Sequence, residues 1–321
     1  MPAALFSIAR NAFTEAIRQP VFVVLLLGTQ LLLVFNVTLA AYSFWEDDKL
    51  LVDLGLSTMF LAGLFLAAFS AAGVFGREIH DQTVLTVLSK PVGRPVFVLG
   101  KFLGVTGALA AAYAIWALVF MLSVRHGVLS AAWQEPDWPV IVFGLSAICL
   151  ALGLATWGNY FYGWVFASGV TAAQLLFLLP ACLLALCFDR QWHPQSPLKD
   201  IHVQLLIAVL LVLEALALLS AVVLAASTRL GQALTLGLGA GVFLLGLSSD
   251  YLFGRFAQDS FLAALGYAVL PNLQLFWLAD ALTQEHPVSG MYVLAVSGYG
   301  IIYTCAVLAL GVALFQTREV G

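Results

Sequence analysis

Long apolar runs separated by short polar interruptions fill the chain from Pro20 to Phe315. The runs hold about 20 apolar residues each, enough to cross a hydrocarbon core of roughly 30 Å as a helix. Ahead of the first run the pattern differs. Leu5/Phe6, Ile8/Ala9, Ala12/Phe13 and Ala16/Ile17 recur at helical spacing, with Arg10, Asn11, Thr14, Glu15, Arg18 and Gln19 opposite. Residues 4–19 are therefore predicted to form an amphipathic helix lying in the headgroup region, its basic side chains toward anionic lipid. Apolar positions interrupted on a helical period do not resemble a cleavable signal peptide. Pro20 suits the first turn of a new helix, so span one runs from there to about Tyr42.

The acidic loop Trp45–Lys49 leads to span two, about Leu54 to Phe75. Span three runs from about Val96 to Val124, and the acidic-leaning loop Arg125–Asp137 follows. Residues 139–187 are too long for one crossing and divide at Trp157–Tyr160, where a Gly-Asn pair interrupts the run, into spans four and five. After polar residues 189–200 come span six, about Val203 to Ala226, a tight turn at Ser227–Gly231, and span seven, about Gln232 to Leu247. The segment 250–290 is charged at both ends, apolar between Phe261 and Leu278, and broken at Pro271-Asn272. A re-entrant or surface-lying pair of short helices fits it, provided protein shields the broken backbone. Span eight is about Met291 to Phe315. The expectation is an all-α polytopic transmembrane bundle of about eight spans in a single domain, with an N-terminal interfacial helix and an external segment.

Composition agrees. Hydrophobic residues make up 62% of the chain and charged ones only 9%, far below the roughly 25% of soluble domains. The ten-residue alternating strands of a membrane barrel are absent. Lysine and arginine are too sparse for nucleic-acid binding. The four cysteines lie within apolar segments without CxxC spacing, which predicts buried small hydrophobes rather than a disulfide framework or a metal site.

Charge orients the bundle. With eight spans, Arg10, Arg18, Arg77, Lys90, Arg94, Lys101, Arg229 and Arg318 fall on the side of the termini, against Lys49, Arg125, Arg190, Lys199 and Arg255 on the other. The positive-inside rule then makes both termini and the loop 77–101 cytoplasmic. Within that loop Val84, Leu85, Val87 and Leu88 mark one face of a short helix that Pro91 must end, because proline cannot donate the next backbone bond. Such a helix is either a charged tether between two spans or a surface on which a soluble partner can push.

Few residues carry chemistry. Glu214 stands near the middle of span six, where a carboxylate costs about 2.5–3.5 kcal/mol on insertion scales and so must face protein or water. Ala217, Ala221 and Ala225 extend nearly the same face as a small-xxx-small stripe. Glu214 is either a hydrogen-bonded tie between helices or a polar point on a transport path. Gly237/Gly241 and Ala68/Ala72/Gly76 read as packing faces. No span offers a histidine at its centre for haem, and an external metal cluster of His193, His202 and Asp200 is the one such set conceivable. The aromatics Trp157, Tyr160, Phe161, Tyr162 and Trp164 suit a membrane interface. A phosphate loop needs G-x-x-x-x-G-K-[ST]; the nearest string, Gly100-Lys101-Phe102, lacks the hydroxyl residue.

An entry helix with FTEAIRQPVF, a second span running into GREIHDQTVLTVLSKPVGRPVFVLGKFLG, an alanine-rich span ending in AASTRLG, the segment LPNLQLF and a terminal ALFQTREVG together resemble the membrane subunits of ABC-2-type transporters. The resemblance covers about the first 105 residues, then 205–250 and 265–321. Residues 139–200 look like an added hairpin on the usual six-span core, and Gln82-Thr83 stands where the family often has Gly-Thr.

The resemblance implies a dimer, of two copies or of paralogues, in the inner membrane. A coupling helix after span two would rest on a separate cytoplasmic ATPase. Its contact here would be Arg77, Glu78, Asp81, Thr83, Leu85, Leu88, Ser89 and Arg94, with Arg229 in the Ser227–Gly231 turn as a smaller second contact. Pro271 and Asn272 would belong to re-entrant helices beneath an outer gate. The chain itself would be no enzyme and hold no cofactor; ATP and magnesium would sit in the partner. Membrane lipid and a periplasmic protein complete the expected partners, and the product would be substrate export or mechanical transmission across the membrane. A secondary transporter centred on Glu214 is the competing reading, although it would want further intramembrane charges or repeats. A membrane-embedded enzyme would need a His, Asp or Glu cluster that the sequence lacks.

Overall fold

A computed structural model describes residues 2–42, 47–80, 93–129, 134–200, 202–283 and 288–316. Among them the chain forms twelve α-helices: α1 Pro2–Ile17, α2 Pro20–Ala40, α3 Asp47–His80, α4 Arg94–His126, α5 Trp138–Tyr162, α6 Phe166–Leu186, α7 Val203–Ser227, α8 Gln232–Leu247, α9 Ser249–Leu252, α10 Phe261–Val269, α11 Ala279–Thr283 and α12 Gly290–Gln316. Seven of these (α2 to α7 and α12) are long and apolar enough to cross a membrane. The protein is an all-α, multi-pass membrane protein.

The predicted seventh span is shorter than a crossing. α8 has 16 residues and bends by 69° into Ser249–Phe256. A second bent pair, Phe261–Val269 with Leu273–Leu282, turns by 43° at the Pro271-Asn272 break, as the two short helices anticipated there require. Counting each pair as one span gives up to nine crossings, and the sequence-based eight lies between. The entry helix runs 2–17 rather than 4–19, and Gln19 is buried rather than at the polar surface.

Other boundaries shift for local reasons. Helix α5 does not break at Trp157–Tyr160 but continues to Tyr162, and Gly163 ends it with φ +66°, the left-handed conformation that glycine adopts without a Cβ clash. Asn159 Nδ2 donates to the Trp164 carbonyl 2.6 Å away, so the Gly-Asn pair closes the helix from inside. The polar interruption after span two is narrower than 77–101, because α3 extends to His80 and α4 starts at Arg94. Aspartates assigned to the loop before span two, Asp47 and Asp48, instead open α3, where carboxylates favour a helix N-terminus.

Two compact units divide the chain, Met1–Ala16, Gly63–Ala108 and Leu210–Gly321 against Ile17–Ala62 and Leu109–Val209. In the first, small residues let helices meet closely. A Cβ on Gly104 of α4 would lie 2.8 Å from the Phe13 nitrogen and one on Gly100 2.7 Å from Ile8, so α1 rests on this glycine edge. Gly239 of α8 meets Val223, and Gly311 of α12 meets Ala225, both on α7. Thr106 and Ser220 share a 2.9 Å hydrogen bond. The packing reading of Gly237/Gly241 fails, since neither has a neighbour within 4 Å of an added Cβ. The buried glycines of α8 are Gly239 and Gly246. Of the Ala68/Ala72/Gly76 stripe, Ala68 and Ala72 are buried as expected, while the packing of Gly76 lies outside what is described.

In the second unit the hairpin α5–α6 joins α2 through a reciprocal amide pair. Gln30 donates to Gln174 at 3.1 Å and Gln174 to Gln30 at 2.9 Å, both fully enclosed. Two intramembrane amides satisfy each other and so avoid the cost of an unpaired polar group. Trp116 Nε1 donates to the Leu26 carbonyl at 3.0 Å, and Asn36 Nδ2 donates to Thr58 Oγ1 at 3.0 Å. Cysteines depart from expectation: Cys149 and Cys305 are exposed, Cys182 and Cys187 half-buried, and all four are free. Thiols are apolar enough to face lipid on a spanning helix.

Candidate functional site

The expected coupling contact falls in three places. Asp81, Thr83, Leu85, Leu88 and Ser89 lie outside the described residues; Arg77 and Glu78 occupy the last turn of α3. Arg94 and Arg229 are both placed, and both turn to the same structure. Arg94 Nη1 donates to the Gln316 carbonyl, and Arg229 Nε donates to the Leu314 carbonyl at 2.9 Å. The last carbonyls of α12 have no intrahelical donor, and the partial negative charge of a helix C-terminus favours cations there. The two arginines therefore cap α12.

Beside this cap lies a charge that the sequence assigned to the loop. Lys101 is 1% exposed, 3.8 Å from Glu15 of α1 and 5.6 Å from the centre of the Phe97 ring. Phe97 in turn stacks on Phe315 at 5.6 Å. One end of the first unit thus ties α1, α4, α12 and the Ser227–Gly231 turn together.

Glu214 is half-buried on α7, and Ser297 of α12 donates to its Oε1 at 2.9 Å. The bond is a tie between helices, one of the two roles that the sequence left open for this carboxylate; Oε2 is buried without a hydrogen-bond partner among the described residues. Glu214→Gln keeps the acceptor for Ser297 and is expected to leave melting in detergent within about 0.5 kcal/mol of wild type. Ser297→Ala, which orphans the carboxylate, is expected to cost about 0.6–2 kcal/mol. Thermal denaturation of the purified variants checks both.

Asn272 holds the break in the segment 250–290. Its backbone N–H donates to Tyr299 Oη at 2.9 Å, its Nδ2 to Asp250 Oδ1 at 2.9 Å, and its Oδ1 accepts from the Gln274 N–H at 3.1 Å. Tyr267 Oη also donates to Asp250, at 2.7 Å, and Tyr292 Oη to the Leu275 carbonyl, at 2.7 Å. The Pro271 carbonyl comes within 2.7 Å of where a Cβ on Gly246 would stand. The freed backbone is thereby satisfied by side chains, as a broken helix in a membrane requires. Asn272→Ala removes three side-chain bonds, to Asp250, Tyr267 and the Gln274 N–H, and is expected to destabilise this segment by about 1–3 kcal/mol. Faster protease cleavage between 261 and 283 with little change elsewhere is the expected readout.

The structure adds a charged centre that sequence reasoning treated as loop charges. Arg125 lies in the last turn of α4, its side chain 8% exposed. Its Nε is 3.5 Å from Asp137 and 3.3 Å from Asp200, and its Nη2 donates to the Phe188 carbonyl. Asp137, 2% exposed, also caps α5 by accepting from the Val140 N–H at 3.2 Å. Gln195 donates to Asp200 at 2.6 Å. The pair Arg125 and Asp137 at the two ends of one short loop was the available signal. Asp200 is thus taken by Arg125, and His193 pairs with Asp189 at 3.3 Å, so the conceivable metal set does not assemble. Among the described residues no three His, Cys, Asp or Glu side chains are placed to hold a metal ion. The His193 N–H, chiefly, with help from the Gln191 N–H, holds the Asp189 carboxyl below its ordinary range. Its contribution is present above the ordinary carboxylate pKa and is lost as pH falls through the lowered value.

The aromatics Trp157, Tyr160, Phe161, Tyr162 and Trp164 are exposed and stack among themselves. That exposure fits rings at a membrane interface.

The described residues define an all-α, multi-pass membrane protein with one clamped helix terminus, one intramembrane carboxylate and one hydrogen-bonded broken segment. No protein-family model matches the chain, and no curated protein matches it in sequence.

Proposed function

We propose that the chain is the membrane-spanning permease subunit of an ABC transporter of ABC-2 type, working as a dimer with a separate cytoplasmic ATPase. The observation that carries this reading is the length of the two helices flanking the basic loop. α3 has 34 residues and α4 has 33, about 50 Å each at 1.5 Å per residue, against a hydrocarbon core of roughly 30 Å. Helices this long extend beyond the hydrocarbon core, so each carries a span rigidly to its own end. A push there is passed along the helix axes instead of being absorbed by a hinge. The resemblance of the loop and its flanks to ABC-2 subunits supplies the identity of what pushes.

In this reading ATP-driven closure of the ATPase shifts the membrane helices between two states, which requires that nucleotide favour one of them. Arg94 and Arg229 hold α12 in place near the loop instead of touching the ATPase directly. Both termini are cytoplasmic in the inner membrane when one of the two bent pairs crosses and the other returns. Export or mechanical transmission to a periplasmic partner are the two outputs the reading allows. The test is a mild-detergent pull-down of the tagged chain from its native membrane with mass spectrometry. A stoichiometric nucleotide-binding ATPase is the expected companion; a homomeric preparation under crosslinking overturns the reading.

One observation favours a second reading, an ion- or proton-coupled secondary transporter. Glu214 Oε2 is buried without a hydrogen-bond partner among the described residues, an oxygen left open to a ligand on a transport path. Glu214→Gln that abolishes transport at normal abundance would favour it.

A further inference from the structure

A groove of about 350 Å3 runs along the last two turns of α4 and the first turns of α5, within the second unit. That volume is in the range of small-molecule sites. Val34, Leu122, Gly144, Leu145, Ile148 and Leu178 make most of its wall. It follows α4 from Val119 to His126 and α5 from Val140 to Ile148, a length of about 10–12 Å at 1.5 Å per residue. Val34 and Leu145 are half-exposed on the flanks of spanning helices, so the groove opens sideways toward lipid.

Polarity gathers toward one end. α4 ends at His126 and α5 starts at Trp138, and Arg125 lies 3.5 Å from Asp137, so the two helices close the groove at the same end. His126 and Ser123 line it there. The His126 Nδ1 lies 2.9 Å from the Gly127 carbonyl. A carbonyl only accepts, which puts the proton on Nδ1 and leaves Nε2 of the neutral ring with a lone pair. Nε2 makes no other hydrogen bond among the described residues. Ser123 Oγ already donates to the Val119 carbonyl at 3.0 Å, so it too has only lone pairs to offer.

Among the described residues no Lys, Arg, Asp or Glu lines the groove. A permanently charged head, such as a phosphate or a quaternary amine, would find no counter-charge there and would lose its hydration without return. The chemistry that fits is an apolar chain carrying a small head that can give a proton to an acceptor.

We propose that the groove binds one long-chain fatty acid, its carboxyl at His126 and its chain along α4 and α5. Acid and imidazole share one proton between a carboxyl oxygen and Nε2, and the bond is charge-assisted when the proton sits on the ring. Head and chain lie in a single cavity, and the chain enters from the bilayer through the open side without crossing water. The walls come from α2, α4, α5 and α6, so a bound chain fills space between the hairpin α5–α6 and the rest of its unit. Most of these residues lie outside the family resemblance, and the site does not depend on the transporter reading.

The test is native mass spectrometry of the purified full chain, delipidated in detergent and titrated with lauric acid or methyl laurate. The ester keeps the chain and the carbonyl but has no acidic proton. Wild type is expected to take up one lauric acid about tenfold more tightly than the ester. His126→Phe, which keeps a ring without nitrogen, should bring the acid down to the level of the ester and leave the ester unchanged. Leu145→Trp, on the open wall, should weaken both. Melting of each ligand-free variant at the wild-type temperature shows that the fold is kept, and His126→Leu or Ile148→Phe replaces a variant that fails to fold. Equal uptake of acid and ester by wild type overturns the proposal, as does a preference that survives loss of His126 in a folded protein. Uptake unmoved by the wall variant, or uptake of acid that passes one per chain without a plateau, would mark partition onto apolar surface and would also overturn it.

Discussion

Under the proposed function, Leu85→Asp combined with Leu88→Asp is expected to abolish co-purification of the proposed ATPase while the chain still inserts into the membrane. The sequence pattern puts the two leucines on one apolar face with Val84 and Val87, in the stretch between α3 and α4. They lie outside the described residues, so the expectation rests on sequence pattern and on the helices that bracket it. Each leucine lost from a protein interface removes about 1.5–3 kcal/mol of apolar burial. Together that is about a hundredfold to ten-thousandfold in affinity, before the cost of pressing carboxylates against a partner. Insertion should be untouched, because the sequence puts both residues in the polar stretch between two apolar runs. The measurement is quantitative pull-down of wild type and double variant, with membrane abundance as control. Undiminished association would remove this helix from the coupling contact and leave the transporter reading without its mechanical link.

Arg125→Met is expected to be the most damaging single change to folding. It leaves Asp137 buried with its charge uncompensated, since Asp200 is better exposed at 28% and keeps Gln195. Removing one member of a buried ion pair typically costs about 3–5 kcal/mol. Melting of the variant in detergent should fall accordingly, with protease sensitivity rising near residues 127–137 and 187–202. The double variant Arg125→Met/Asp137→Asn separates charge from packing. Asparagine still offers an oxygen to the Val140 N–H, so the α5 cap survives while the stranded charge is gone. Most of the stability is expected back. A double variant as unstable as the single one would show that Arg125 acts through its bond to the Phe188 carbonyl and through packing.

Membrane class, helix positions and the Pro271-Asn272 break were legible because each depends on local properties: run length, periodicity and the missing donor of proline. The α5–α6 boundary was misplaced by a few residues because Gly158-Asn159 can sit in a helix end, and only Gly163 takes the left-handed turn that reverses the chain. Glu214 was recognisable as a misfit in a span, but its partner Ser297 was not, since a serine 83 residues away has no local signature. The amide pair Gln30–Gln174 was missed for the same reason. Arg94 and Lys101 looked like loop charges because composition cannot tell a charge beyond a helix from one folded back onto a carbonyl or a ring.

The sequence by itself determined that this is a multi-pass helical membrane protein, since an apolar run of span length has only one way to satisfy its backbone in lipid. It also determined where the chain is interrupted and which residue types stand at each interruption. Tertiary structure alone decided which polar groups meet: Arg94 and Arg229 on the end of α12, Ser297 on Glu214, and Asp137 and Asp200 on Arg125. Such pairings depend on how helices distant in sequence pack, where a shift of one turn moves a side chain about 5 Å and exchanges one partner for another.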